Sequence, residues 1–178
     1  MRSLGFSRLN PRNRTGRIAA TALTLLLFCG FALAQNFPKN PQRDSVRATD
    51  FTVHLFFEAS GELSPNIFLL EEFGAWNFSA QWKGNAGGKF SGFLVRVKLQ
   101  SNSAKDVFAQ GRVAQLVLRE RKTKKMLQTW NISDVYVDDK GVSYRAQFFS
   151  NLDCQLMEAT LISSGTQITR DLPFACGE

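Results

Sequence analysis

The chain has 178 residues, with 16 Phe and 3 Trp among them, and aromatic side chains in that number can fill the core of one domain. Its formal net charge is +7. The first 17 residues hold five arginines and no acidic residue, so the rest of the chain is close to neutral and nucleic acid is not expected as a partner.

Residues 1–34 have the pattern of a secretory signal peptide. The basic segment 1–17 is followed by an apolar run from Ile18 to Leu33, which ends in the small-x-small sequence Ala32-Leu33-Ala34. This pattern predicts cleavage before Gln35 and a periplasmic or extracellular mature protein. The apolar run is short for a membrane span, and an uncleaved signal that anchors the chain is the alternative.

A leader and a single domain are predicted after the signal. Residues 35–50 are polar and contain Pro38 and Pro41, so we expect a flexible leader. The domain, residues 51–178, begins with a strand over residues 51–58. Alternate positions of this strand are apolar and are expected to face the core, namely Phe51, Val53, Leu55 and Phe57. Residues 67–73 do not alternate and are interpreted as a segment that covers the core.

The segment from Trp76 to Leu99 is predicted to be the central hairpin of the core. Apolar residues alternate on both sides of a glycine-rich turn at residues 84–92: Trp76, Phe78, Ala80 and Trp82 before it, and Phe93, Val95, Val97 and Leu99 after it. Such alternation is typical of half-buried antiparallel strands. Core packing is therefore expected for the row Trp76, Phe78 and Trp82, with a stacking platform for a glycan as the alternative.

The remaining strands follow at short intervals. After a polar crossing at residues 101–111, strands are predicted over residues 113–120, 126–132, 135–137, 142–149, 156–163 and 166–172. In the strand 142–149, one face is expected to carry Val142, Tyr144, Ala146 and Phe148. About seven to nine short strands with no convincing long helix predict an all-β fold, an antiparallel β-sandwich that is immunoglobulin-like in architecture, with a closed β-barrel as the alternative.

Cys154 and Cys176 are the cysteines that remain once Cys29 leaves with the signal peptide. An even number of cysteines in an exported chain favours a disulfide. A three-residue turn centred on Gly165 would place Cys154 and Cys176 opposite each other at the open end of the last hairpin. We therefore predict a disulfide between them, with two free thiols as the alternative.

The sequence contains no set of residues that amounts to a recognisable catalytic, cofactor or metal site. His54 is the only histidine, and the partners of a catalytic triad cannot be identified. Met126 and Met157 lack the spacing of a copper site. The carboxylate pairs Glu71-Glu72 and Asp138-Asp139 are not positioned as a catalytic dyad. No catalytic residue, cofactor or metal is therefore predicted.

Two surface features are candidates for binding. Phe56, Trp130 and Phe149 are difficult to place on a buried face, and they form the candidate binding patch. The hairpin tip at residues 119–125 contains five cations, Arg119, Arg121, Lys122, Lys124 and Lys125, which suit contact with anionic lipid headgroups or another polyanion. A solvated turn that blocks aggregation is the other interpretation of the tip.

These features favour a non-enzymatic exported β-sandwich that acts by binding, as an envelope accessory or interaction module. Its expected partner is a protein or a cell-envelope component. Membrane contact is expected only through an uncleaved signal or the basic hairpin tip. Two alternatives stay open: a small secreted hydrolase that uses Glu71 or Glu72, and an inhibitor of an extracellular enzyme built on the disulfide-closed hairpin.

Overall fold

The computed structural model describes residues 45–152 and 154–175. Within these ranges the chain forms twelve β-strands and a single 3₁₀ turn at Ile67–Leu69. The strands are β1 (Val46–Phe57), β2 (Glu62–Leu63), β3 (Gly74–Trp76), β4 (Ser79–Trp82), β5 (Asn85–Lys89), β6 (Gly92–Ser101), β7 (Val107–Glu120), β8 (Met126–Val137), β9 (Val142–Ser150), β10 (Met157–Ser163), β11 (Thr166–Leu172) and β12 (Phe174–Ala175). No helix of these ranges is long and apolar enough to cross a membrane. The predicted signal peptide, residues 1–34, lies outside the described residues.

The first sheet contains β2, β1, β6 and β9 in that order, and all neighbouring strands are antiparallel. The predicted alternation in β1 and β6 is confirmed. One face of the two strands is buried in the core, with Phe51, Val53, Leu55, Phe93, Val95, Val97 and Leu99. The regular register, in which Val53 pairs with Val95, keeps these side chains on the same side of the sheet.

β1 begins at Val46, ahead of the predicted start at Phe51. The last residues of the predicted flexible leader are therefore part of a strand, and Val46 and Ala48 are buried. Ala48 also donates its backbone N–H to Ser163 Oγ in β10, at 2.9 Å. A bulge after Ala48 moves the buried positions from even to odd residue numbers. The sequence of β1 consequently does not alternate as one run.

The second sheet contains β11, β10, β7 and β8 in that order, again with antiparallel neighbours. The predicted hairpin with its tip at residues 121–125 is confirmed as β7 and β8. Both strands are longer than predicted, because β7 starts at Val107 within the predicted polar crossing and β8 runs through the predicted strand 135–137. The pairing is irregular near Gly111 and Asp134, which both have positive φ, and this irregularity hides the continuity of the strands in the sequence.

The first and second sheets enclose a hydrophobic core and form a β-sandwich, as predicted. Arg170 of β11 joins the two sheets. Its guanidinium lies 4.9 Å from the ring centroid of Phe51 and 5.1 Å from that of Phe68, forms a 2.8 Å salt bridge with Asp50 and donates to the carbonyl oxygen of Phe51. The finer prediction of an immunoglobulin-like arrangement stays a prediction.

The outer and inner faces of β9 are exchanged relative to the sequence prediction. Tyr144 and Phe148, expected to share a face with the core, are 52% and 41% exposed, whereas Phe149 is 3% exposed. Phe149 is buried because it pairs with Phe93 of β6, and the two rings stack at 5.6 Å. On the outer face the ring of Phe148 covers Gly92, where a Cβ atom would lie 2.6 Å from it.

The third sheet is smaller and contains β12, β3, β4 and β5 in that order. β12 is parallel to β3, and the other pairs are antiparallel. The predicted central hairpin of residues 76–99 is therefore wrong, since β6 pairs with β1 and β9. The predicted strand 76–82 is divided by a two-residue turn at Asn77 and Phe78, whose φ values are 46° and 60°, as the turns of tight hairpins require. The predicted turn at residues 84–92 contains all of β5.

The last hairpin, β10–β11, has a shorter turn than predicted. Ser163 pairs with Thr166, so the turn consists of Ser164 and Gly165, with φ values of 30° and 78°. The predicted three-residue loop is thus wrong and the register differs by one residue. After Leu172 the chain leaves this hairpin, and β12 joins the third sheet. The hairpin therefore does not by itself place the two cysteines opposite each other.

Candidate functional site

The inner face of the third sheet is part of the core. Ala75 and Ala80, which pair across β3 and β4, are 4% and 2% exposed. The ring of Phe174 in β12 lies 5.7 Å from that of Phe90 and 5.5 Å from that of Phe93. The cavity between these rings measures about 20 Å³, the space of about one water molecule. The inner face therefore serves packing and offers no room for a ligand.

The outer face of the third sheet carries the candidate site, which we call the Trp76 face and define by Trp76, Ser79 and Gln81. Trp76 pairs with Ser79, and Gln81 is two residues further along β4. Paired residues share a face, as do residues two apart in a strand, so all three side chains project to the same side. Trp76 is 57% exposed, and Ser79 and Gln81 are also exposed.

A shallow groove of about 620 Å³ runs along the Trp76 face. Besides the three residues that define the face, the lining combines Phe73 and Pro173 with small residues such as Gly74, Ala86 and Gly88. None of the described residues that line the groove is charged. A groove of this volume falls within the range of about 300–1,000 Å³ that ligand sites occupy.

The bulge that shapes the groove depends on Gly87. Its φ is +63°, and a Cβ atom there would lie 1.6 Å from the carbonyl oxygen of Ala80. The pairing of β4 with β5 shifts between Ala80 and Trp82, so the two strands approach closely at a residue without a side chain. Only glycine fits this position.

The predicted aromatic row Trp76, Phe78 and Trp82 does not lie on one face. Trp82 is half-buried, with its ring 6.1 Å from that of Phe57. Phe78 occupies the β3–β4 turn, is 41% exposed, and contacts the ring of Phe90 at 5.8 Å. The expectation of core packing is therefore wrong for Trp76 and Phe78. The alternation rule failed because a turn with two left-handed residues interrupts the strand, and Asn77 was the one signal for it.

The predicted binding patch of Phe56, Trp130 and Phe149 is not a single surface. Phe149 is buried beside Phe93. Trp130 is half-buried and packs against the core from β8 in the second sheet, where it pairs with Leu116. Phe56 belongs to the first sheet and contacts Phe148 at 5.8 Å on the outer face.

The basic hairpin tip is partly neutralised by acidic residues of the adjacent strands. Arg121 forms a salt bridge of 3.1 Å with Asp171 of β11, and Lys124 forms one of 2.6 Å with Glu158 of β10. Glu158 is also the cross-strand neighbour of Arg119.

Lys122 and Lys125 are exposed, and neither forms an ion pair with a residue of the described ranges. The carboxylate of Glu120 accepts the backbone N–H groups of Lys122 and Thr123, so it organises the turn. These contacts support a structured, solvated turn more than a strong anion-binding surface.

Both ring nitrogens of His54 lie within hydrogen-bonding distance of neighbouring groups. Its Nε2 lies 2.9 Å from Thr52 Oγ1, and its Nδ1 lies 2.9 Å from the carbonyl oxygen of Ser64. A carbonyl can only accept, so Nδ1 donates its proton to the Ser64 oxygen, and in the neutral imidazole Nε2 accepts from the Thr52 hydroxyl. With both ring nitrogens engaged, His54 links β1 to the segment that follows β2.

The predicted carboxylate pairs lie outside the strands. Glu71 is exposed and forms a 2.7 Å salt bridge with Lys83, and Glu72 has a φ of 55° next to it. Asp138 accepts the backbone N–H of Lys140 in the β8–β9 turn, at 3.1 Å. Met157 is buried and Met126 is 62% exposed. In residues 45–152 and 154–175, no three His, Cys, Asp or Glu side chains are grouped as a metal site would require.

Cys176 lies outside the described residues, so the predicted disulfide stays a prediction. Cys154 lies close to the chain that leads to Cys176, with its Sγ 3.5 Å from the carbonyl oxygen of Ala175. Ala175 is held there because β12 pairs with β3 and because Asn77 donates its backbone N–H to the Ala175 carbonyl, at 3.2 Å. The third sheet, rather than the last hairpin, brings this end of the chain to Cys154.

No family model matches this chain, and no curated protein matches it either.

Proposed function

We propose that this chain is an exported, non-enzymatic binding module of the cell envelope or the extracellular space, and that it binds through the Trp76 face. The observation that carries the proposal is the 57% exposure of Trp76 beside a groove of about 620 Å³. Large aromatic side chains exposed next to a concave surface are typical of binding sites, because tryptophan contributes much contact area at a small cost in conformational entropy.

The sandwich gives this face a rigid support. The inner side of the third sheet is fixed to the core through Phe90, Phe93 and Phe174, so the outer side is held in place without contributing to the core. A preorganised surface loses little conformational entropy on binding. Export is part of the proposal through the predicted signal peptide, residues 1–34, and the predicted disulfide.

The hydrolase alternative receives little support from the carboxylates that would serve it. Glu71 is exposed and salt-bridged to Lys83, whereas a catalytic acid requires a carboxyl group in a sheltered pocket. The inhibitor alternative has no specific contact in its favour.

The proposal is tested by measuring how much of the purified mature chain, residues 35–178, is retained by an envelope fraction of the source cells. Three chains are compared: the wild type, Trp76→Ala, and Phe108→Ala, which removes an aromatic side chain of 47% exposure from β7. We expect the wild type and Phe108→Ala to be retained in equal amounts. The retained amount of Trp76→Ala should be roughly tenfold lower. Equal retention of all three chains would show that the Trp76 face is not the binding surface.

A further inference from the structure

The absence of charge in the groove restricts its ligand. The described residues that line it include no Asp, Glu, Lys or Arg. Lys83, which follows β4, is paired with Glu71, and Lys89, which pairs with Ser79 and so shares its face, lies outside the lining. A lining without charge offers nothing to offset the desolvation of a charged ligand. Charge complementarity therefore favours a neutral ligand over a lipid headgroup or an acidic polymer.

The polar groups of the groove restrict the ligand further. Ser79 provides a hydroxyl, and Gln81 provides an amide that donates and accepts. No side-chain hydrogen bond occupies either group within the described residues, so both can bond to a ligand. An acyl chain would leave these groups unpaired, which is unfavourable. The ligand must therefore be neutral and rich in hydrogen-bonding groups.

The indole of Trp76 requires a third property of the ligand, a flat apolar surface. An exposed indole ring binds a flat apolar surface of similar size by stacking. Gly74, Ala86 and Gly88 leave room beside the ring because their side chains are small or absent. A pyranose ring combines one face of C–H groups with a periphery of hydroxyls, so it matches both the indole and the polar groups.

We propose that the groove binds a neutral saccharide, with a pyranose ring stacked on Trp76 and its hydroxyls bonded to Ser79 and Gln81. This inference rests on the proposed function and adds the chemical class of the ligand. A groove of about 620 Å³ has the size of a site for a small oligosaccharide.

The test is a titration of the mature chain, residues 35–178, with three neutral hexasaccharides, those of α-1,4-linked glucose, β-1,4-linked glucose and β-1,4-linked N-acetylglucosamine. Binding is followed by calorimetry and by the NMR signal of the Trp76 indole N–H. We expect saturable binding of at least one of them, a shift of the Trp76 signal, and an affinity that is unchanged between about 0.05 and 0.5 M NaCl because no charges pair.

Variants of the groove, compared with control variants elsewhere, show which side chains contact the saccharide. Trp76→Ala should weaken binding by roughly tenfold or more, and Gln81→Ala by roughly fivefold. Phe108→Ala and Gln167→Ala, which change an exposed aromatic and an exposed amide on the second sheet, should leave the affinity unchanged. Equal weakening by the control variants would contradict the assignment to this groove.

The inference and the proposed function fail in different ways. If none of the three hexasaccharides binds while envelope retention still depends on Trp76, the saccharide inference is overturned and the proposed function stands. Loss of that retention after protease treatment of the envelope fraction would likewise overturn it and identify a protein ligand. If retention does not depend on Trp76, the proposed function itself is wrong.

Discussion

In the two-sheet sandwich Phe51 is 1% exposed, whereas in the third sheet Trp76 is 57% exposed. Both are aromatic residues in β-strands with alternating sequences. Phe51 belongs to a strand of twelve residues whose inner face meets another sheet. Trp76 ends a strand of three residues that also pairs on both sides, with β12 and β4, but its outer face is covered by no other described strand. The comparison teaches that burial of an aromatic residue depends on whether a second sheet covers its face, since Phe108 on the long strand β7 is also 47% exposed.

The largest expected effect comes from truncating one aromatic residue in each region. Phe51→Ala removes a ring that contacts Phe68 and Arg170, and it should lower the free energy of unfolding by about 3–5 kcal/mol. Trp76→Ala should change it by less than about 0.5 kcal/mol, because the side chain is exposed. Urea unfolding measures both, and a similar loss for the two variants would remove the distinction between the regions.

The predicted disulfide would fasten the end of the chain after β12 to the segment before β10, and its loss is expected to be the next largest effect. Replacing Cys154 and Cys176 together with serine should lower the free energy of unfolding by about 3 kcal/mol. Alkylation followed by mass spectrometry tests the bond directly. Two alkylated cysteines in the native, unreduced protein would contradict it.

Arg170 provides one of the contacts between the two sheets of the sandwich. Arg170→Ala removes the salt bridge with Asp50, the hydrogen bond to Phe51 and the contact with two rings, and it should cost about 2 kcal/mol. Arg170→Lys keeps the charge and loses the planar group, so its cost should be intermediate. If Arg170→Ala unfolds at the same urea concentration as the wild type, these contacts of Arg170 contribute nothing to stability.

Gly84 and Gly87, in the β4–β5 hairpin, form a matched pair that separates backbone strain from a steric clash. Gly84 and Gly87 both have positive φ, but only at Gly87 would a Cβ atom meet the backbone of Ala80. Gly84→Ala should cost about 1 kcal/mol through backbone strain alone, and Gly87→Ala about 2 kcal/mol or more. Hydrogen exchange of β4 and β5 distinguishes them, and equal protection in both variants would show that the bulge is not needed.

The smallest effect is expected at the basic hairpin tip, residues 119–125. Hydrogen bonds from the Thr123 side chain and then from the backbone N–H groups of Lys122 and Thr123 lower the pKa of Glu120 below its ordinary value of 4.5. The contribution of the Glu120 carboxylate to the stability of the turn is therefore fully present above pH 4.5. It is lost as the pH falls through the lowered pKa.

NMR should show the amide signals of Lys122 and Thr123 changing together with the titration of Glu120, below pH 4.5. The variant Glu120→Gln should not show this change. A midpoint above 4.5 would contradict the bonding of the turn.

The sandwich could be predicted from the sequence to the extent that its strands alternate regularly. Phe51, Val53 and Leu55 were placed correctly on the buried face of β1. Val46 and Ala48 were missed because a bulge changes the phase of the alternation. Phe149 was misplaced because the strand β9 has the more apolar residues on its outer face, and only its pairing with Phe93 decides which face is buried.

The Trp76 face could be predicted only in part. The sequence identified Trp76 as a candidate for stacking, but it favoured core packing. The division of residues 76–82 into two strands comes from the local turn at Asn77 and Phe78, but β3 also pairs with β12, a contact between distant parts of the chain. Local patterns carry no information about that pairing, which brings Pro173 and Ala175 to the groove beside Trp76.

The parallel pairing of β12 with β3 has a consequence for the order of folding. Every strand of the sandwich precedes β12 in the chain, so the sandwich can assemble before the third sheet has its last strand. The surface that we propose for binding therefore needs this end of the chain in place, because β12 pairs with β3 beside Trp76.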